Sequence, residues 1–184
     1  MRLLTSAAMV LLTTACAGPT VITSDNSVTP TAAAPPPPTT TKPSNAHLAN
    51  AFDFAADVAG RTGYYFVSPS GRWKCAIIPR ASAGCQNANG TALNIDGTPD
   101  SVTGIVVDRT ADATFVTRDE PGFALEPGPA TELPFNRILA VGGFRCNIQE
   151  ASGISCLSEL SGKGFTFSAE GFITSYTDVP ADAP

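Results

Sequence analysis

Across residues 61–176 the apolar side chains come in short runs, several alternating with polar ones, and most runs are closed by Gly, Pro, Ser or Asn. A two-residue period puts every second side chain on one face, as in strands that bury one side and pair through tight turns. Tyr64-Tyr65-Phe66-Val67 is a β-rich run stopped by the turn tetrad Ser68-Pro69-Ser70-Gly71. Arg72 to Ile78 then alternates, with Trp73, Cys75 and Ile77 on one face, and a loop from Pro79 to Gly84 leads back to Cys85. Val102 to Val107 and Thr114 to Thr117 read as a further strand pair around a loop from Asp108 to Asp112. Gly122 to Pro134, rich in Gly and Pro, is expected to be irregular, and Phe135 to Val141 to be a strand. Phe165 to Ser168 returns on Ile154 to Leu160 through the turn Gly162-Lys163-Gly164.

The period differs before residue 61. Leu48, Phe52, Ala55, Ala56 and Ala59 recur at helical spacing, and Gly60 stands where a helix C-cap belongs. One short N-terminal helix is therefore expected over 46–60, ahead of a β-rich domain over 61–176 and a flexible, Pro-containing tail over 177–184. The fold class is mainly β: a compact antiparallel domain with that one helix.

The first hairpin has a counterpart. Gly142-Gly143-Phe144-Arg145-Cys146-Asn147-Ile148 alternates with Phe144, Cys146 and Ile148 inward and Arg145, Asn147 and Gln149 outward. A turn from Glu150 to Gly153 follows, and Ile154-Ser155-Cys156 returns. Cys75 and Cys146 lie 71 positions apart, and so do Cys85 and Cys156. At that offset Gly71 matches Gly142, Trp73 matches Phe144, Lys74 matches Arg145 and Ile77 matches Ile148. A duplication and two hairpins under the same packing demand both account for the match.

A hairpin turning about position 151 sets Cys146 opposite Cys156. A disulfide between facing strands is easy only at a close, non-hydrogen-bonded pair. Four cysteines allow three connectivities. Cys75–Cys85 with Cys146–Cys156 is the pairing in which each bridge joins neighbouring strands. Their ten-residue spacing is long for a zinc ribbon, so no metal site is expected.

The N-terminus has a different character. Met1-Arg2 carries one positive charge, and Leu3 to Leu12 form a short apolar run that leads into Thr13-Thr14-Ala15-Cys16. This is the layout of a secretory signal, about half the roughly 20 apolar residues a membrane span needs. A Cys directly after a small residue at the end of such a run resembles a bacterial lipobox. The resemblance implies removal of residues 1–15, diacylglyceryl attachment to the Cys16 thiol and acylation of its new amino group. Thr13 departs from the Leu most usual there. The alternative is an ordinary signal cleaved near Ala15 or Ala17, which releases a soluble secreted protein. Residues 16–45 then form a tether of Thr, Ser, Ala and Pro, including Pro35-Pro36-Pro37-Pro38. Such a segment buries too little apolar surface to fold, and its proline run favours an extended spacer. Thr beside Pro also suits O-glycosylation.

Composition narrows the chemistry. The net charge of −5 and a pI near 4.7 argue against nucleic acid as a partner. One His, His47, expected to be exposed, leaves no Ser-His-Asp group, and Gly-x-Ser-x-Gly is absent. Gly162-Lys163-Gly164 lacks the spacing and the following Ser or Thr of a phosphate loop. Asp96 with Asp100, and Asp108 with Asp112, lack EF-hand spacing and read as solvated turn carboxylates. Trp73 between Arg72 and Lys74 could stack on a sugar or lipid, but its match to Phe144 favours the core. No catalytic residue and no cofactor are expected.

Phe66-Val67-Ser68-Pro69-Ser70-Gly71, Gly143-Phe144-Arg145-Cys146, Gly153-Ile154-Ser155-Cys156 and Ser161-Gly162-Lys163-Gly164-Phe165 together resemble a domain of actinobacterial, especially mycobacterial, secreted proteins and lipoproteins. That domain has no characterised function. The resemblance spans about Phe66 to Phe172, and Lys163 stands where the family more often has His. It implies an envelope location and disulfides, and it brings no active site. The expected function is therefore a non-catalytic binding module. It is held to the outer face of the cytoplasmic membrane through Cys16 and meets an envelope protein, lipid or glycan. A small carboxylate-dependent hydrolase of cell-wall glycan and a lipid carrier are the alternatives.

Overall fold

The computed structural model of the chain describes residues 43–58, 60–117 and 130–184. The signal, Cys16, nearly all of the tether and most of the segment expected to be irregular lie outside the described residues.

Strands β1 (Ala55–Val58), β2 (Arg61–Val67), β3 (Trp73–Ile78), β4 (Ser82–Asn87), β5 (Gly104–Asp108) and β6 (Thr114–Val116) form one antiparallel meander in chain order. A two-residue strand, β7 (Thr131–Glu132), pairs parallel to β2 within the stretch expected to be irregular. Strands β8 (Ile138–Val141), β9 (Phe144–Gln149), β10 (Gly153–Ser158), β11 (Gly164–Ser168) and β12 (Gly171–Ile173) form a second antiparallel meander. The domain is mainly β, as the alternation predicts.

The likeness of the two halves extends beyond the cysteine hairpins. β3 and β9 begin and end 71 positions apart, and so do β4 and β10. The order β2 to β6 in the first sheet repeats as β8 to β12 in the second. The halves differ in the turn that enters the cysteine hairpin. Residues 68–72 join β2 to β3, whereas Gly142 and Gly143 alone join β8 to β9. Both of those glycines have positive φ, 64° and 89°, as a two-residue hairpin turn matching the strand twist requires.

The inward faces of the two sheets make one core. Phe66, Trp73, Cys75, Ile77, Cys85 and Ile105 of the first sheet join Phe144, Cys146, Ile148, Ile154, Phe165 and Phe167 of the second in a single buried cluster. Both disulfides lie inside it, Cys75–Cys85 with a Cα separation of 4.0 Å and Cys146–Cys156 with 4.1 Å. Each pair is directly opposed in the strand register. Those separations belong to the closer class of antiparallel pair, the one that admits a bridge. The connectivity is the one that joins neighbouring strands in each hairpin.

The N-terminal helix is much shorter than the periodicity over 46–60 predicts. It is one 3₁₀ turn, Ala51–Phe54, whose cap residue Asn50 accepts the Phe52 backbone N–H on its side-chain oxygen at 3.3 Å. From Ala55 the backbone is already paired to β2, and Gly60, at φ 75°, turns that hairpin rather than capping a helix. The expected apolar stripe is not buried: Leu48, Phe52, Ala55 and Ala56 are exposed, while Phe54 points into the core. Edge-strand pairing with β2 therefore supplies the main-chain hydrogen bonds that a helix would have made within itself.

The C-terminal residues also depart from expectation. Instead of a flexible tail from residue 177, Tyr176, Thr177 and Asp178 are hydrogen-bonded to outward side chains of the second sheet, and Val179 is buried. The outward residues Asn147, Gln149, Ser155 and Thr166 are accordingly buried beneath a strap.

Candidate functional site

Two turns meet at one end of the sandwich. The β2–β3 turn is shaped by Ser68, whose Oγ accepts the Trp73 backbone N–H at 3.1 Å, while its carbonyl accepts Gly71 N–H at 2.8 Å. Gly71, at φ 67°, completes the turn. This explains the Ser-Pro-Ser-Gly tetrad locally: a hydroxyl locks the return strand, proline sets the bend, and glycine takes the left-handed backbone. Opposite it stands the β9–β10 turn. Between them lies a cleft of about 250 Å³ lined by Ser70, Trp73, Phe135, Glu150, Ile154 and Phe167 among others.

The cleft has an apolar floor and a polar rim. Trp73 and Phe167 are buried, Phe135 is partly exposed on the wall, and Glu150 and Ser70 are exposed. Trp73 is thus a core residue, as its match to Phe144 predicts, with Arg72 Cζ 5.7 Å from its ring centroid. The part of Phe135 was hidden in sequence, where it reads only as the start of a strand. Its place in the cleft depends on how two distant turns approach each other.

A second cavity, of about 410 Å³, lies beside β11 and β12 and is lined by Ser152, Thr166, Glu170, Phe172 and Thr177 among others. Ser152 Oγ is buried there without a hydrogen-bond partner. A third, of about 440 Å³, is lined by Pro43, Asn45, Arg145, Leu157, Glu159 and Gly162. Arg145 is buried and bonds Glu159 Oε1 through Nη2 at 2.9 Å and the Ser44 carbonyl through Nη1 at 2.7 Å. Among the described residues, each of these three cavities is lined by one carboxylate: Glu150, Glu170 or Glu159.

The polar network under the strap is continuous. Asn147 Nδ2 donates to Tyr176 Oη and to the Thr177 carbonyl, both at 2.9 Å. Gln149 Nε2 donates to Asn147 Oδ1 and to the carbonyls of Thr177 and Asp178. Thr166 Oγ1 donates to the Ser175 carbonyl at 2.8 Å and lies 2.8 Å from Ser155 Oγ. Asp178 accepts from Tyr176 Oη, Val179 N–H and Ser44 N–H, which ties the strap to the start of the folded body. Burial pushes the Tyr176 phenol well above its ordinary value; the Asn147 hydrogen bond opposes this shift and the Asp178 carboxylate adds to it.

The remaining sequence candidates are dispersed. His47, expected to be exposed, is partly buried and meets the Ala181 carbonyl through Nε2 at 3.2 Å. Lys163 pairs with Asp112 at 3.1 Å across the tips of two loops. Among the described residues, no group of three or more His, Cys, Asp or Glu side chains could hold a metal ion. The four paired cysteines staple the core, and Cys16 lies outside the described residues. No family model, curated protein or solved structure matches the chain.

Proposed function

We propose that this chain is a non-catalytic binding module, lipid-anchored through Cys16 and displayed on the outer face of the cytoplasmic membrane. The reading takes up the resemblance to actinobacterial secreted proteins and lipoproteins. Two disulfides in one core suit a compartment outside the reducing cytosol. Two acyl chains on Cys16 would hold far more firmly than one, since each buried CH₂ contributes about 0.8 kcal/mol.

The cleft between the two turns carries the binding reading. At about 250 Å³ it lies just under the roughly 300–1,000 Å³ of sites that enclose a whole small molecule. It suits the end group of a larger envelope glycan, lipid or protein, with an apolar face against Phe135 and Trp73 and a polar edge toward Ser70 and Glu150. A glycosidase would bring two carboxyls to one scissile bond, about 5 to 9 Å apart, and among the described residues one carboxylate, Glu150, lines this cleft.

Native mass spectrometry of the protein purified from its own host membranes tests the reading. A co-purified glycan, lipid or protein should be retained by the unaltered chain and lost with Phe135→Ala. Turnover of cell-wall glycan that disappears with Glu150→Gln would replace the module with a hydrolase. Cys16→Ala should abolish labelling by a radiolabelled fatty acid; retained label would remove the anchor.

A further inference from the structure

The cleft of about 250 Å³ and the cavity of about 410 Å³ are neighbours, since Phe167 and Ser168 of β11 line both. Along the chain their boundary falls between adjacent residues. Gly153 and Ala169 line the cleft, whereas Ser152 and Glu170 line the cavity. An occupant of the cleft that extends past the β9–β10 turn therefore enters the second cavity.

The opening is particular to one half of the fold. Its counterpart would lie between the β8–β9 turn and the β3–β4 turn. There the Arg80 N–H donates to the Gly142 carbonyl at 2.9 Å, and a Cβ on Gly142 would stand 2.8 Å from Pro79 Cα. Those two turns touch. The longer turn over 68–72 instead leaves room beside Trp73.

Each cavity carries the same set of an aromatic ring, a hydroxyl and a carboxylate. In the cleft these are Phe135, Ser70 and Glu150; in the cavity they are Phe172, Ser152 and Glu170. Phe172 is partly buried and meets Phe115 of the first sheet edge to face, with ring centroids 4.6 Å apart. The Glu170 backbone N–H donates to Ser168 Oγ at 3.1 Å, which fixes the turn that carries this carboxylate. Ser152 Oγ is shut off from solvent and has no hydrogen-bond partner. A serine hydroxyl turns about one bond between staggered positions, so an occupant can supply the partner that the protein does not. Among the described residues, neither cavity is lined by Lys, Arg or His.

That inventory selects the ligand. Two exposed carboxylates without a lining cation repel a phosphate, a sulfate or an acidic headgroup. A bare acyl chain leaves both carboxylates and the Ser152 hydroxyl unanswered. A sugar ring answers all three groups: its C–H face packs on an aromatic ring, and its hydroxyls bond to carboxylate and serine. A set that occurs twice, side by side, fits a ligand whose unit repeats. We infer that the cleft and the adjoining cavity are two subsites of one site for a neutral glycan of two or more rings. The inference rests on the binding-module reading and extends its cleft past the β9–β10 turn.

The test is binding of the full chain to immobilised neutral oligosaccharides of glucose, mannose, galactose, arabinose and N-acetylglucosamine, graded from one to six rings. Affinity should rise about tenfold or more from one ring to two, and sulfated counterparts should bind less well. Phe135→Ala and Ser152→Ala alter different cavities and should each weaken the same two-ring glycan, the latter about threefold to tenfold. Ser152→Ala should leave the thermal midpoint unchanged or higher, because the hydroxyl it removes is unpartnered in the folded chain. Two-ring binding that falls with Phe135→Ala but ignores both Ser152→Ala and Glu170→Gln would overturn the inference and leave the cleft as a site by itself. Retention of no neutral glycan would also overturn it; a lipid or protein co-purified and lost with Phe135→Ala would then still support the binding module.

Discussion

Trp73 of the first sheet meets Phe167 of the second edge to face, with ring centroids 4.8 Å apart. Both are buried, and both form the floor of the cleft between the turns, so the contact joins the sheets where the candidate site opens. Trp73→Ala should cost about 3–5 kcal/mol, the range for emptying a buried aromatic position. Trp73→Phe should cost less, because an aromatic edge remains available to Phe167. Urea unfolding followed by Phe and Tyr fluorescence or circular dichroism measures both; equal losses would mean that the indole's hydrogen bonding or volume, not the ring pair, sets the value.

The two disulfides should contribute about equally. Each closes a loop of the same sequence separation, 10, and each lies in the same core cluster. Chain entropy assigns roughly 2–3 kcal/mol to a loop of that length. Cys75→Ala with Cys85→Ala should therefore lower the urea midpoint by about as much as Cys146→Ala with Cys156→Ala. A loss confined to one pair would show that strand packing around the other already does its work.

The cysteine register was legible because two periods coincide in it. Alternation assigns Cys146 and Cys156 to the inward face, and the turn at Glu150 to Gly153 fixes which positions oppose. Trp73 was placed in the core by the same arithmetic, through its match to Phe144. Residues 46–60 were misleading because alanine fits a helical stripe and an edge strand equally well; what decided between them was pairing with Arg61 to Tyr64, a tertiary fact. The strap was hidden for another reason. Its bonds are made largely by the carbonyls of Ser175, Thr177 and Asp178, and a side-chain pattern carries no trace of which carbonyls will be read.

Glycine substitutions should separate strain from crowding. Gly143 has φ 89°, yet a Cβ there would meet nothing within 4 Å. Gly143→Ala should then cost only the backbone penalty, about 1–2 kcal/mol. Gly153 has φ 85°, and its Cβ would in addition run into the Phe167 carbonyl across β10 and β11. Gly153→Ala combines both costs and should exceed about 3 kcal/mol. Thermal denaturation of the two variants ranks them; a milder effect at Gly153 would mean that β11 can shift to make room.

Tyr176 gives the strap a distinctive alkaline signature. Its phenol is held above the ordinary value by burial first, with the Asp178 carboxylate acting in the same direction. The unfolded chain therefore releases this proton first, near pH 10, while the folded chain retains it. Stability from this group is fully present below about pH 10 and falls as pH rises beyond it, because the unfolded state then binds fewer protons than the folded one. Tyr176→Phe removes that component and should flatten the decline between about pH 9 and 11. At neutral pH the same substitution deletes the hydrogen bonds with Asn147 and Asp178, a cost of about 1 kcal/mol. Urea midpoints for both proteins across this range supply the measurement. Parallel pH curves would mean that the strap opens before the core unfolds, leaving Tyr176 solvated in both states that the transition compares.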